Sequence, residues 1–547
     1  MNLREKPFYL TEEQIGWVES TIEKMNLEEK IGQLFVPIGF STEPEYLDKL
    51  LQHHIGGLFF RSGDFNELKN TFSYAQENSK IPLLTPANLE YGGNGATIEG
   101  TAYATPMAVA ATQKKQNAYI LGMISAMEGK QAGINWSFAP VVDLDLNFRN
   151  PITNVRTYGD DPDTVIENAK EYTRAYHDLG MMTSIKHFPG DGVDERDQHL
   201  LTSINALSIN AWRKSYGRIY QELIDFGTKA VMVGHIAFPA YAESDLPATL
   251  DRKLLQELLR KELNFNGLVI TDASPMVGFT SAMPRNRAVP LCIEYGCDML
   301  LFNRDFEEDV YYMKAGLDSG LLSEQRLEEA VYRILATKAS LNLHKESPIV
   351  EKEPLDFSEA QKQIAEEAIT LVKDDQNLLP IIKNGTRILV EMLGHFDSND
   401  FVEKHFVNEL SQTGFEVEVY QKEQNFYDLE NVESFKAKYD VVIYVANIEN
   451  ASNQTTARIN WHTLFGLGNN LPWFVKEIPT MLVSFGNPYH FFDTPMIPTI
   501  VNAYCNYEHF IKATVNKITG KSSFQGISPI DPFCSNRKLK ELRQDEN

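Results

Sequence analysis

Asp197, Gln198 and His199 place a carboxylate and an imidazole two residues apart, where an extended backbone carries both on one side. An aspartate in that position can hold the ring in one tautomer and raise its basicity. With an ordinary histidine pKa of about 6.5, such a pair could donate and recover a proton near neutrality. Taken alone, the triplet equally fits a solvated acidic loop with a satisfied histidine. It closes the segment KHFPGDGVDERDQH, residues 186–199, in which Lys186 and His187 leave an apolar run and Pro189, Gly190 and Gly192 set up a loop rather than a helix. Asp272 follows the apolar run GLVIT, so a carboxylate is carried straight out of a buried strand, a costly placement unless it is used. It could cap the next helix. Paired with an acid/base group within about 5–5.5 Å, it could instead trap an oxocarbenium ion covalently, as glycosidic cleavage with retention requires.

Such groups need a scaffold. Apolar runs at 32–40, 56–60, 82–90, 136–143, 182–188, 229–236, 267–273 and 298–303 alternate with stretches of helical periodicity, the pattern of parallel strand–helix units. Eight such units predict a (β/α)₈ barrel of the TIM type, whose reactive groups sit where the strands end. The third strand runs into Asn88 and Glu90, the fifth into Lys186 and His187, the sixth into His235 and the seventh into Asp272, and the loop after the fourth holds Arg156. Any one of these could merely satisfy a loop; together they mark one end of the barrel as a site.

The pattern predicts a catalytic barrel over 1–345, a polar linker over 346–360 containing LNLHKESPIVEKEPLDFSE in part, and a smaller α/β sandwich domain over 361–547. In the second domain a helix is expected over 359–374, strands at TRILVEML, FEVEVY, YDVVIYVA and TMLVSFG, and a frayed charged tail at the end. Within it, QTTARINW (454–461) reads either as a structural loop or as one reaching toward the barrel with Arg458 and Trp461, both common sugar-contacting types.

Composition narrows the function classes. A hydrophobic fraction of 43% with 23% charged residues is that of a folded globular chain. The formal net charge of −24 repels polyphosphates and anionic bilayers, so neither nucleic acid nor membrane is expected as a partner. Four cysteines are too few for a disulfide framework, and Cys292 and Cys297 lack metal or redox spacing, so they read as packed small hydrophobes. The adjacent His53 and His54 rarely converge on one ion and no HExxH motif occurs, so neither metal nor cofactor is expected. MNLREKPFYLTEEQ lacks a secretory apolar stretch, which predicts a cytoplasmic chain or one that has lost its leader.

The segment 186–199 resembles the hallmark loop of glycoside hydrolase family 3 in its β-N-acetylglucosaminidase branch, K-H-F-P-G-H-G followed at fixed spacing by D-S-H. FAPVVDLDLN (138–147), NVRTYGDDP (154–162), VITDASPM (269–276) and AEEAITLVKDDQNLLP (365–380) extend the resemblance over nearly the whole chain. It implies Asp272 as nucleophile, His199 as general acid/base and Asp197 as its orienting partner, with Arg156, Lys186, His187 and Asn88 binding sugar hydroxyls. Three positions depart from the pattern: Asn88 stands where the family has aspartate, Asp191 replaces the second histidine of the loop, and Gln198 replaces the serine of the dyad. A neutral amide at 88 binds a hydroxyl more weakly than a carboxylate does.

The resemblance implies a carbohydrate substrate carrying terminal β-linked N-acetylglucosamine, such as peptidoglycan-derived GlcNAc-MurNAc fragments or chitin oligosaccharides. Three other readings stand beside hydrolysis of that substrate. A phosphorylase is one, because a neutral histidine repels incoming phosphate less than a glutamate does. A β-glucosidase or β-xylosidase is another, and a non-catalytic sugar-binding protein the last.

Overall fold

Strands Phe35–Val36, Met299–Leu301, Leu268–Ala273, Ala230–Val233, Met182–Phe188, Trp136–Ser137 and Pro86–Ala87 lie side by side in that order in one parallel sheet. The segment 56–60 joins its two edges. Leu58 donates to the Leu84 carbonyl at 2.9 Å on one side, and Phe59 donates to Pro37 at 3.0 Å on the other, with the bridges Gly57–Leu84 and Ile38–Phe59 both parallel. The result is a closed (β/α)₈ barrel whose eight strands stand where the apolar runs predict them. The glycines of the joining segment are required by the closeness of the fit: a Cβ at Gly56 would lie 2.0 Å from the Gln33 carbonyl oxygen, and one at Gly57 2.5 Å from that of Leu84.

The computed structural model describes residues 1–345, 355–394, 398–420, 431–461 and 470–534, so most of the expected linker, 346–354, and the charged tail lie outside the described residues. Inside the barrel the rings of Phe59 and Phe302 meet at 4.8 Å between centroids and those of Phe59 and Phe138 at 6.1 Å, an aromatic layer drawn from different strands. Beneath it the indole of Trp136 donates to Ser184 Oγ at 2.7 Å, which satisfies the polar edge of a fully buried ring. Helix starts are fixed locally: Asp161, Asp305 and Ser323 each cap the first turn of the helix that follows, Pro162–Asp178, Phe306–Asp318 and Glu324–Ser340. Cys292 and Cys297 are wholly buried, and burial pushes the Cys292 thiol up to about 12.

A two-stranded parallel sheet, Ser203–Ile204 with Ile236–Ala237, was not expected; two-residue strands are too short to leave an alternating pattern. It joins the loop after the fifth barrel strand to the end of the sixth.

By their contacts the residues fall into two compact units, one of Met1–Tyr103, Ala118–Thr153 and Asp160–Asp356, the other of Ala104–Asn117, Asn154–Gly159 and Phe357–Asn547. The second unit is an α/β sandwich around a sheet of order Thr370–Asp374, Thr499–Asn502, Thr480–Ser484, Val441–Ala446, Arg387–Leu393, Glu416–Val419. All pairs are parallel except the first, which is antiparallel. The helix expected over 359–374 is corrected: it runs Ser358–Ala368, Ile369 turns extended, and Thr370–Asp374 is a strand. The run ITLV is β-prone, and pairing with Thr499–Asn502 outweighs the helical periodicity before it. Among the described residues no helix is long and apolar enough to cross a membrane.

Candidate active site

The end of the seventh barrel strand carries Asp272, whose side chain keeps 13% of its surface open. Its Oδ1 accepts the Ala273 amide at 2.7 Å, which fixes the carboxylate's direction. Burial works to raise its pKa, but His187, His235, His199 and that amide together outweigh it and hold the group below the usual carboxylate value. Asp272 is therefore an anion poised beside three imidazoles.

His187, at the end of the fifth strand, is gripped from behind. Its Nδ1 lies 2.7 Å from Asp143 Oδ2 and its backbone amide donates to Asp143 Oδ1 at 3.1 Å, which leaves Nε2 facing Asp272 Oδ2 at 3.8 Å. That gap is too long for a hydrogen bond. Lys186 Nζ lies 2.7 Å from Glu90 Oε1, so two of the polar strand ends form one largely buried ion pair.

His235 ends the sixth strand and is fully buried. Burial pushes it down to about 4, so the ring is neutral. Its contacts assign the tautomer: Nε2–H donates to the Ala273 carbonyl at 3.0 Å and Nδ1 accepts from Thr249 Oγ1 at 3.0 Å.

The dyad sits on the loop after the fifth strand. Asp197 Oδ1 lies 2.7 Å from His199 Nδ1 and also accepts the His199 amide at 2.9 Å, so one buried oxygen fixes both ring and backbone. The loop is then docked on the turn that follows Asp272: Val277 N donates to the His199 carbonyl at 3.0 Å and Gly278 N to that of Gln198 at 3.2 Å. No side chain fits at Gly278, where a Cβ would come within 2.6 Å of the Gln198 carbonyl oxygen. With Nδ1 occupied by Asp197, Nε2 is left for a reacting proton, and the ring keeps 24% of its side-chain surface open.

Of the residues singled out from sequence, the barrel thus brings together Asp272, His187, Asp197 and His199, with Lys186 on the same strand as His187. Asn88 is exposed just beyond the strand Pro86–Ala87. Arg156 is half-buried at the end of the turn Asn154–Arg156 and belongs by its contacts to the second unit. In the loop 454–461 the Arg458 guanidinium is bound by Asp493, with Nε 2.8 Å from Oδ2, and Trp461 packs edge-on against Tyr444. Asp143 was missed as a site residue. It is wholly buried and follows the apolar run FAPVV, the same pattern that singled out Asp272. The role of His235 in fixing the peptide after Asp272 had no sequence signal, because it depends on which strands are neighbours.

A parallel eight-stranded barrel with an aspartate and an aspartate-held histidine at the same end fits glycoside cleavage. The comparisons narrow the class: residues 26–337 match the model of the glycosyl hydrolase family 3 N-terminal domain, and the chain belongs to that family. It is 40% identical over 560 residues, 98% of this chain and 99% of the relative, to a β-N-acetylglucosaminidase/β-glucosidase of Cellulomonas fimi. It is 27% identical over 384 residues, 62% of this chain and 63% of the relative, to β-hexosaminidase A of Pseudoalteromonas piscicida. Among solved structures, the β-glucoside phosphorylase BglX bound to 2FGlc superposes with a TM-score of 0.91 at 39% identity, covering 97% of this chain and 99% of that one. A family 3 β-N-acetylglucosaminidase of Paenibacillus sp. str. FPU-7 shares the fold, with a TM-score of 0.80 at 22% identity over 93% of this chain and 100% of that one. The protein is a glycosidase, and its substrate is a carbohydrate.

Proposed function

We propose that this glycosidase removes terminal β-linked N-acetylglucosamine by double displacement, over a catalytic barrel 1–345, a linker 346–360 and a second domain 361–547. Asp272 attacks the anomeric carbon while His199 Nε2 protonates the departing glycosidic oxygen. His199 then takes a proton from water as the water displaces Asp272, so the configuration is retained. Asp197 keeps Nε2 as the reacting nitrogen and stabilises the imidazolium. Lys186, His187, Arg156 and Asn88 bind sugar hydroxyls, and disaccharide fragments of the GlcNAc-MurNAc type suit an exo-acting site.

The observation that carries the reading is the hydrogen bond from Val277 N to the His199 carbonyl, 3.0 Å, which sets the dyad loop on the turn five residues beyond the nucleophile. The name of the Cellulomonas fimi relative supports both N-acetylglucosaminide and glucoside as substrates. A second reading, phosphorolysis, is supported by the likeness to BglX along 97% of the chain and by an acid/base that is an imidazole, which adds no negative charge to repel phosphate.

A panel of p-nitrophenyl β-glycosides, each with and without inorganic phosphate, tests both. Turnover of the N-acetylglucosaminide with the β-anomer of the free sugar appearing first by NMR supports hydrolysis with retention. Acceleration by phosphate with a sugar 1-phosphate as product selects the second reading. Turnover of xylosides alone, or of none of the panel, would overturn the assignment.

A further inference from the structure

Two of the three departures from the family's loop pattern touch each other. Gln198 Nε2 donates to Asp191 Oδ2 at 3.3 Å, and both side chains are buried, at 2% exposure for Asp191 and 1% for Gln198. The other end of the same amide, Gln198 Oε1, accepts the backbone amide of His235 at 2.7 Å. His235 in turn holds the carbonyl of Ala273, the residue after Asp272, at 3.0 Å. Asp191 is fixed independently of Gln198: its Oδ1 accepts the Gly192 amide at 2.7 Å and Asn150 Nδ2 at 3.2 Å, and its own amide donates to Asp143 Oδ1 at 2.8 Å. One buried amide therefore ties the loop bearing His199 to the strand that orients the peptide beyond Asp272, and Asp191 anchors that amide to the carboxylate holding His187.

We propose that Asp191 and Gln198 are a positioning pair that sets the His199 loop against the Asp272 strand, the glutamine at 198 and the aspartate at 191 each requiring the other. The inference rests on the reading of His199 as acid/base and Asp272 as nucleophile. The chemical reason is reach and satisfaction. A serine at 198 is two atoms too short to span from Asp191 to the His235 amide, so it would leave a buried donor and a buried carboxylate oxygen without partners. A histidine at 191 alone would be larger than the aspartate it replaces in a closed site and would put a ring where the Oδ2 acceptor for Gln198 Nε2 now stands. Loss of either contact lets the loop shift, and displacement of a reacting group by about 1 Å costs on the order of 100-fold in rate.

The test is a swap cycle: Gln198→Ser, Asp191→His and the double variant, with kcat measured on p-nitrophenyl and on methyl N-acetylglucosaminides. Each single change is expected to slow the methyl glycoside at least about tenfold more than the aryl one, because only the poor leaving group needs a well-placed acid. The double variant is expected to lose little more than the worse single variant, because both changes break the same contact. Should the single variants fail to fold, Gln198→Glu keeps the shape and the acceptor for His235 and replaces the neutral donor to Asp191 with a second carboxyl; the same selective loss is expected. Losses that multiply in the double variant, or single variants and Gln198→Glu that slow both substrates equally, would overturn the pair. His199→Ala is run alongside: if it shows no leaving-group bias, the acid/base reading falls and takes this proposal with it. If it shows the bias while the Gln198 variants do not, the positioning pair alone is wrong.

Discussion

His187 Nε2 faces Asp272 Oδ2 at 3.8 Å while Asp143 holds the opposite ring nitrogen at 2.7 Å. The histidine cannot swing away from the aspartate without breaking a buried hydrogen bond, so Nε2 stays aimed at Asp272. Burial raises the Asp272 pKa, and the neighbouring imidazoles with the Ala273 amide outweigh it, so the group sits below the usual carboxylate value.

An ionised aspartate at that point makes Asp272→Ala the most severe single change expected in the molecule. Turnover of p-nitrophenyl β-N-acetylglucosaminide should fall more than about 1,000-fold, roughly 4 kcal/mol of barrier, with an unchanged circular dichroism spectrum. A 2-fluoro sugar with a good leaving group should add its mass to the peptide containing Asp272. Mass on another carboxylate, or retention of a tenth of the activity, would remove Asp272 from the nucleophile's role.

The Asp197–His199 contact makes a graded expectation. His199→Ala should slow methyl glycosides at least about tenfold more than p-nitrophenyl glycosides, since protonation matters most for a basic departing oxygen. Asp197→Ala keeps the imidazole but loses its partner, so the same bias should appear in weaker form. Equal losses on both substrates in His199→Ala would show that the ring does something other than deliver a proton.

The barrel was legible in the sequence because buried parallel strands leave continuous apolar runs, and even the irregular segment 56–60 carried one in GGLFF. Asp272 and His187 were legible because a polar group at the end of such a run has few other reasons to be there. Asp143 obeyed the same rule and was passed over, since FAPVVDLDLN holds two aspartates and only the structure says that the first lies behind His187. The contact of Gln198 with Asp191 and His235 could not be read at all: it joins residues 7 and 37 positions apart through a loop whose path has no periodicity. In the second unit the strand Thr370–Asp374 was hidden behind a helical pattern that runs without a break into ITLV, and it exists because Thr499–Asn502 offers it a partner.

At the opposite end of the barrel strands from the site, Asp298 is wholly buried and gathers three guanidiniums: Arg260 and Arg326 at 2.7 Å each, and Arg333 at 3.3 Å. It also accepts the Val269 amide at 2.9 Å, which ties the seventh strand to the eighth. Asp298→Ala would leave three buried cations without their common anion, a change that costs about 3–5 kcal/mol. Thermal melting should fall by at least about 5 °C while the KM of any surviving enzyme is unchanged. A melting point within about 1 °C of the parent would mean that the arginines find other partners.

Glu391 predicts a pH dependence in the second unit that is independent of catalysis. It lies in the centre of the strand Arg387–Leu393 at 3% exposure, and burial pushes its carboxyl up to about 8, with the Tyr444 hydroxyl offsetting only part of the shift. For an acid whose folded pKa is raised, the folded state favours the protonated form. Its contribution to stability is complete below the ordinary glutamate pKa of about 4.3 and is lost as pH rises through the folded value near 8. Glu391→Gln keeps the shape and cannot ionise, so it should lie close to the parent near pH 5 and melt clearly higher than the parent near pH 9. About 1 kcal/mol corresponds to about 2–4 °C in a domain of this size. Melting curves of both proteins at the two pH values decide it: a difference that is the same at pH 5 and pH 9 would mean that Glu391 reaches water when it ionises, and that burial does not govern its proton.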